Sequence, residues 1–190
     1  MKKNDLIQTN KGFTLIEMIV SVGIFITVLS VSMGGLVTVV SSNDKAQAIR
    51  VAMDNMNFVM EEMSRHVTQG NTYHCGEAGD IDTTLSCATG GSSIYFQSNK
   101  IDIDRIHYQL SGGEILKSTT GANPVTNVPL TTLNILTIKD LTFYVFADEG
   151  ANPDDQPRVI ISISGEVKVG GETTTFNVQT TTTQRIPISN

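Results

Sequence analysis

The sequence predicts an α+β protein, a long N-terminal helix followed by a block of antiparallel strands, and three patterns carry that prediction. Residues Met18 to Ser42 bear no charge. From Ile49 through Met53, Met56, Met60 and Met63 to Val67, apolar residues recur at alternating steps of four and three. Beyond Gly70 this period gives way to stretches rich in Gly, Thr, Ser and Asp, then to short runs in which apolar and polar residues alternate. The first two patterns belong to helices and the third to strands. Helix first and strands after is the order of a layered α+β domain.

The N-terminal element begins with a basic leader containing Lys2, Lys3 and Lys11. A secretory signal is cut after its apolar stretch, at a small-residue site, and no such site is visible here. A cut at the junction Gly12-Phe13 instead removes residues 1–12 and leaves the apolar segment 13–42 as an anchor. Its 25 uncharged residues from Met18 to Ser42 span about 37 Å at about 1.5 Å per residue, more than the hydrocarbon thickness of about 30 Å. With the lysines before it and Asp44, Lys45 and Arg50 after it, the positive-inside rule keeps the leader in the cytoplasm. Everything beyond Ser42 is then exported.

Glu17 is the costly residue, since a carboxylate near the hydrocarbon edge is disfavoured by about a few kcal/mol without a partner. Cleavage after Gly12 supplies one. The new α-amino group on Phe13 is positive, and in a staggered bundle of identical or related helices Glu17 of one subunit meets the amine of its neighbour. A glutamate merely tolerated at the membrane border is the simpler alternative. Gly23, Gly34 and Gly35 interrupt the apolar run; close helix packing, local unwinding and simple tolerance all fit them, because glycine is less costly in membrane helices than in soluble ones.

The segment Gly12-Phe13-Thr14-Leu15-Ile16-Glu17 resembles the processing site of type IV prepilins and type II secretion pseudopilins, matched at every position and placed before a single apolar helix. The resemblance implies that a membrane prepilin peptidase cuts after Gly12 and N-methylates Phe13, and that Glu17 serves assembly. It also implies a pilin-like fold, with a variable region between the helix and an antiparallel sheet. The leader, the length and the opening Phe13 to Val20 are most similar to minor subunits of the J or W type. Major pilins often place their cysteine pair near the C-terminus and a proline in the membrane half of the helix. Here the cysteines lie early, and Gly34-Gly35 stands where a proline would be expected.

Past the anchor, residues 43–69 form an amphipathic half-helix whose methionine-rich stripe is expected to fill a core beneath a sheet. Lys45, Asp54, Asn57, Glu61, Glu62 and Arg65 fall largely on its other side. Val51 and Phe58 lie seven residues apart and off the stripe, either touching neighbouring subunits or forming the edge of the core. Residues 70–190 hold a connecting loop, Gly70 to Ser93, and the β domain. Cys75 and Cys87, the only cysteines, are expected to pair in an oxidising exported compartment. Closing their 13-residue loop stabilises the domain by about 3 kcal/mol in the chain-entropy model. A metal site on His74 and Cys75 lacks a second ligand pair. Strands are expected at Ser93–Ser98, Ile103–Leu110, Glu114–Ser118, Leu133–Ile138, Leu141–Ala147, Arg158–Val167 and Thr173–Ile186. Gly112-Gly113 and Gly170-Gly171 are expected as hairpin turns.

The formal charge is −6, and losing three lysines and one aspartate with the leader takes it to −8, which argues against direct nucleic-acid binding. Asp148, Glu149, Asn152, Asp154 and Asp155 offer oxygen ligands suited to calcium, but their spacing fits no EF-hand, and a solvated turn is the simpler reading. No nucleophile elbow or phosphate loop is present, and His66, His74 and His107 are scattered; neither an enzyme nor a cofactor is expected. The expected role is structural: a minor subunit of a pilus or pseudopilus, anchored in the inner membrane, with sibling subunits and the prepilin peptidase as partners. The alternative is a membrane-tethered extracytoplasmic adhesin or binding protein.

Overall fold

The computed structural model describes residues 12–76, 82–100, 102–131, 134–147 and 156–185. They form one helix, α1 (Leu15–Gln69), and nine strands: β1 (Gly70–Cys75), β2 (Cys87–Gly91), β3 (Ser93–Ser98), β4 (Arg105–Ser111), β5 (Glu114–Thr120), β6 (Val125–Pro129), β7 (Leu136–Phe146), β8 (Arg158–Val169) and β9 (Glu172–Thr183). The chain divides into two compact units, residues 1–44 and 45–190. In the first unit the helix exposes its apolar side chains on every side, including Phe25, Val31 and Met33. The run is long and apolar enough to cross a membrane.

In the second unit the helix buries one face. Ala52, Met56, Val59, Met63 and Val67 are fully buried, while Ile49, Met53 and Met60 pack partly buried against the same core. The expected stripe is therefore displaced: its centre runs through Ala52 and Val59, and the long unbranched Met53 and Met60 reach the core from its margins. Val51 and Phe58 are exposed, at 45% and 64%, so neither belongs to the core edge.

Two antiparallel sheets replace the single expected one, in the orders β1-β3-β4-β5-β6 and β2-β7-β8-β9. Their inner faces supply Tyr73, Ile94, Phe96, Ile106, Tyr108 and Ile115 on one side, and Phe143, Val145, Val159, Ile161 and Ile163 on the other, to one core with the helix. Ser93–Ser98 forms as expected, and β4, β5, β8 and β9 differ from expectation only at their ends. Both glycine pairs make the two-residue hairpins read from them, with φ positive at all four residues, as a turn matching the strand twist requires.

Three expectations fail for physical reasons. The stretch Gly70–Ser93 is not a plain loop, because β1 and β2 lie within it; their irregular pairings, with register shifts between Asn71 and His74 and between Cys87 and Gly91, hide any alternation. Strand β6 is exposed along its whole length and ends at Pro129, so it carries no apolar face to read and tolerates a proline as an edge strand does. The two strands expected at Leu133–Ile138 and Leu141–Ala147 are one strand, β7, with a register shift between Ile138 and Asp140. Buried Ile138 and Leu141 are three residues apart; a bulge at Lys139 absorbs the odd step and keeps both facing inward. Leu133 and Ile186 lie outside the described residues.

A buried polar group joins the helix to the five-stranded sheet. The Tyr108 hydroxyl, raised above its usual pKa chiefly by burial, stays protonated and shares a hydrogen bond of 2.6 Å with Nδ1 of His66. Beside them Lys117 donates to Glu62 at 2.7 Å. Burial, aided by the Lys117 charge, lowers the His66 pKa to about 4. The folded state thus keeps His66 neutral while the unfolded chain, near 6.5, takes up a proton. Stability is full above about pH 6.5 and falls as the pH drops toward 4, by up to about 1.4 kcal/mol per pH unit. Thermal unfolding of the detergent-solubilised chain between pH 6.5 and 5 should show this loss, and His66→Gln should flatten it.

Candidate functional site

The helix begins at Leu15, and the residues before it explain why. Thr14 stands at the N-cap: the Glu17 amide donates to Thr14 Oγ1 at 3.3 Å, and the Thr14 amide donates to Glu17 Oε2 at 3.4 Å. The Thr14 hydroxyl also donates to Glu17 Oε2 at 3.4 Å. This reciprocal arrangement is a capping box, satisfying two amides that the first turn would otherwise leave without partners. Its signal, threonine followed three residues later by glutamate, stands in the sequence at Thr14-Leu15-Ile16-Glu17; considering only a neighbour for Glu17 missed it. Gly12 and Phe13 lie before the helix and are exposed, so the expected cleavage junction is sterically open.

Along the apolar segment six hydroxyls, those of Ser21, Thr27, Ser30, Ser32, Thr38 and Ser41, fold back on the helix. Ser21 donates to the Glu17 carbonyl at 2.7 Å, Ser30 to Ile26 at 2.9 Å, Ser32 to Val28 at 2.8 Å and Thr38 to Gly34 at 3.1 Å. These six side chains thereby enter an apolar surface with their donors satisfied. The helix passes through Gly23, Gly34 and Gly35 without interruption, and a methyl group at any of them would meet nothing within 4 Å. Within one chain they mark neither an unwound turn nor a packed contact.

Cys75 and Cys87 form a disulfide. Because Cys75 ends β1 and Cys87 begins β2, the bridge ties one sheet to the other. Gly91 makes room for it, since a methyl there would run into Cys75 Sγ. The histidines do not converge on a reaction centre: His66 is bonded to Tyr108, the His74 ring lies 3.0 Å from the Thr83 carbonyl, and His107 stacks on Tyr95 with ring centroids 3.8 Å apart. Among the described residues no three His, Cys, Asp or Glu side chains form a group able to hold a metal. The acidic residues of 148–155 lie outside the described residues. An open cleft of about 590 Å³ is lined by Ser86, Phe146, Gln156, Arg158 and Thr183, among others. The Arg158 guanidinium sits over the Phe146 ring there, 5.1 Å from its centroid.

No family model, no curated protein and no solved structure matches this chain.

Two substitutions check this geometry. Thr14→Val should weaken the first turn by about 1 kcal/mol, read as a roughly fivefold faster exchange of the Glu17 amide. Gly91→Val should leave Cys75 and Cys87 as alkylatable thiols and lower the unfolding free energy by about 3 kcal/mol, the chain-entropy value for this loop.

Proposed function

We propose that the chain is a structural subunit of a type IV pilus or type II secretion pseudopilus, a minor one by its early cysteines. It is cut after Gly12 by a prepilin peptidase, N-methylated on Phe13 and assembled through its N-terminal helix. The observation that carries this reading is an acid, Glu17, in the first turn of an apolar helix directly after an exposed Gly12-Phe13 junction. Export places residues 45–190 outside the cytoplasmic membrane, where the disulfide is stable.

Magnitudes favour a second partner for Glu17. Its capping bonds contribute about 1 kcal/mol, less than the few kcal/mol that a carboxylate loses near hydrocarbon. An amine about 4 Å away, at an effective dielectric of about 20, contributes about 4 kcal/mol. The carboxylate has two oxygens, so it can keep the cap and accept from the neighbour's Phe13 amine.

Glu17→Ala should leave cleavage at Gly12 intact, seen by N-terminal sequencing, while sheared filaments lose the subunit. Normal recovery in filaments would remove the register role, and a mature chain that does not begin at Phe13 would remove the whole assignment. The cleft beside Phe146 and Arg158 supports a second reading, a tethered binding protein. In that case the chain stays in the membrane fraction when filaments are sheared away.

A further inference from the structure

We propose that the cleft beside Phe146 and Arg158 binds an acidic oligosaccharide, with the Arg158 guanidinium taking a sugar carboxylate. The site lies wholly within the compact unit of residues 45–190. It uses neither Gly12 nor Glu17, so it goes beyond the subunit role and stands or falls apart from it.

Strand register builds the site. Strand β8 lies between β7 and β9, and pairing sets Phe146 opposite Arg158 and Arg158 opposite Thr183. Their chain neighbours Val145, Val159 and Thr182 are buried, so the row Phe146, Arg158, Thr183 faces away from the core. At the rim Ser86 accepts from the Ala147 amide at 3.0 Å and donates to the Ala147 carbonyl, which holds the residue before β2 against the end of β7. The cleft of about 590 Å³ is thus framed by backbone, and its size is that of a small-molecule pocket. A second cleft, of about 440 Å³, shares Gln156 and Thr183 with the first and reaches Arg185. Together they make one groove with an arginine in each part.

Charge selects the ligand. The formal charge of the chain is −6, yet among the described residues no aspartate, glutamate or lysine lines either cleft. Neither Arg158 nor Arg185 joins an ion pair among those residues. The groove therefore opposes the sign of the chain that carries it and attracts anions. Arg158 is also oriented, with its guanidinium 5.1 Å from the centroid of the Phe146 ring. Stacking occupies one face of the fork and leaves its in-plane N–H groups for a partner. A planar carboxylate accepts two parallel bonds from such a fork and brings one negative charge to one arginine. A phosphate dianion brings more charge than either cleft balances. The neutral Gln156 amide and Thr183 hydroxyl suit the hydroxyls of a sugar, and Phe146, 37% exposed, offers its ring edge to the C–H face. An oligomer rather than a single sugar places a carboxylate in both parts of the groove.

The test is titration of the detergent-solubilised full-length chain with a galacturonate trimer at neutral pH and low salt, beside uncharged maltotriose and inorganic phosphate. The trimer should bind, maltotriose should not, and phosphate should bind more weakly by about tenfold. Arg158→Gln should weaken the trimer by about tenfold or more, and Arg158→Lys by nearly as much, because an ammonium keeps the charge and loses the fork. A readout on the unaltered chain does not depend on how a variant folds: the trimer should protect Arg158 and Arg185 from phenylglyoxal and leave the reactivity of Arg50 and Arg65 unchanged. Equal binding of maltotriose, phosphate binding as tight as the trimer (an adventitious ion only), unprotected Arg158, or unchanged affinity in Arg158→Gln overturns the proposal. A filament subunit that ignores the trimer loses this site alone, and a chain never cut after Gly12 can still bind it.

Discussion

An apolar helical surface left exposed among the described residues is the constraint on which the rest of this molecule depends. From Phe13 to Val40 the large apolar side chains of α1 are all more than half exposed, far more surface than a soluble monomer carries in one patch. A bilayer can cover it, and on the proposed function helices of other subunits do so afterwards. Backbone groups there are satisfied within the helix and hydroxyls are turned back onto carbonyls, which is what a solvent without hydrogen bonds demands. Beyond Asp44 the same helix meets protein on one side and water on the other. Its composition changes accordingly to a single apolar face.

Glu17 departs from that pattern and takes its meaning from the departure. In a single chain the carboxylate works locally, closing the capping box with Thr14. The same geometry keeps the carboxylate at the start of the helix, where the macrodipole favours negative charge and a cleaved terminus would lie. On the proposed function, a capping role and an assembly role reinforce each other. The cap orients an acid that would otherwise be free to turn toward the headgroups, and an oriented acid loses less entropy on meeting an amine.

How much of this was legible in the sequence depended on whether a pattern was local. The helix, its membrane half and its amphipathic half follow from period and composition, and the hairpins at Gly112-Gly113 and Gly170-Gly171 follow from the positive φ that only glycine accepts easily. The disulfide was legible from two cysteines and an exported setting, but its joining of two sheets was not, because β1 and β2 are recognised only through their partners β3 and β7. The bulge at Lys139 broke the alternation that a reader uses to follow a strand, so one strand looked like two. The centre of the buried helix face was misplaced because methionine is both apolar and long: four methionines outweighed Ala52 and Val59, whose short side chains are fully buried. At the candidate site, Gly12, Phe13 and Glu17 were readable as a motif. The Thr14 cap was equally readable, and was passed over because the acid had already been given a partner elsewhere.

The β unit bears on assembly through what its edges allow. Three of the four described sheet edges are irregular. Strand β1 is shifted around Thr72, β6 is shifted around Ser118 and Asn127 and ends at Pro129, and β2 is short and interrupted. Such features discourage strand addition. Strand β9 pairs with β8 in unbroken register over its full length and is the regular edge that remains. Two copies joined edge to edge through β9 would be antiparallel and related by a two-fold axis, which closes at a dimer and cannot propagate. Growth from copy to copy needs two different surfaces that fit each other, and in the proposed subunit the helix supplies one such pair, the Glu17 acid and the Phe13 amine. On the proposed function, assembly therefore runs through the helix rather than through the sheet edges.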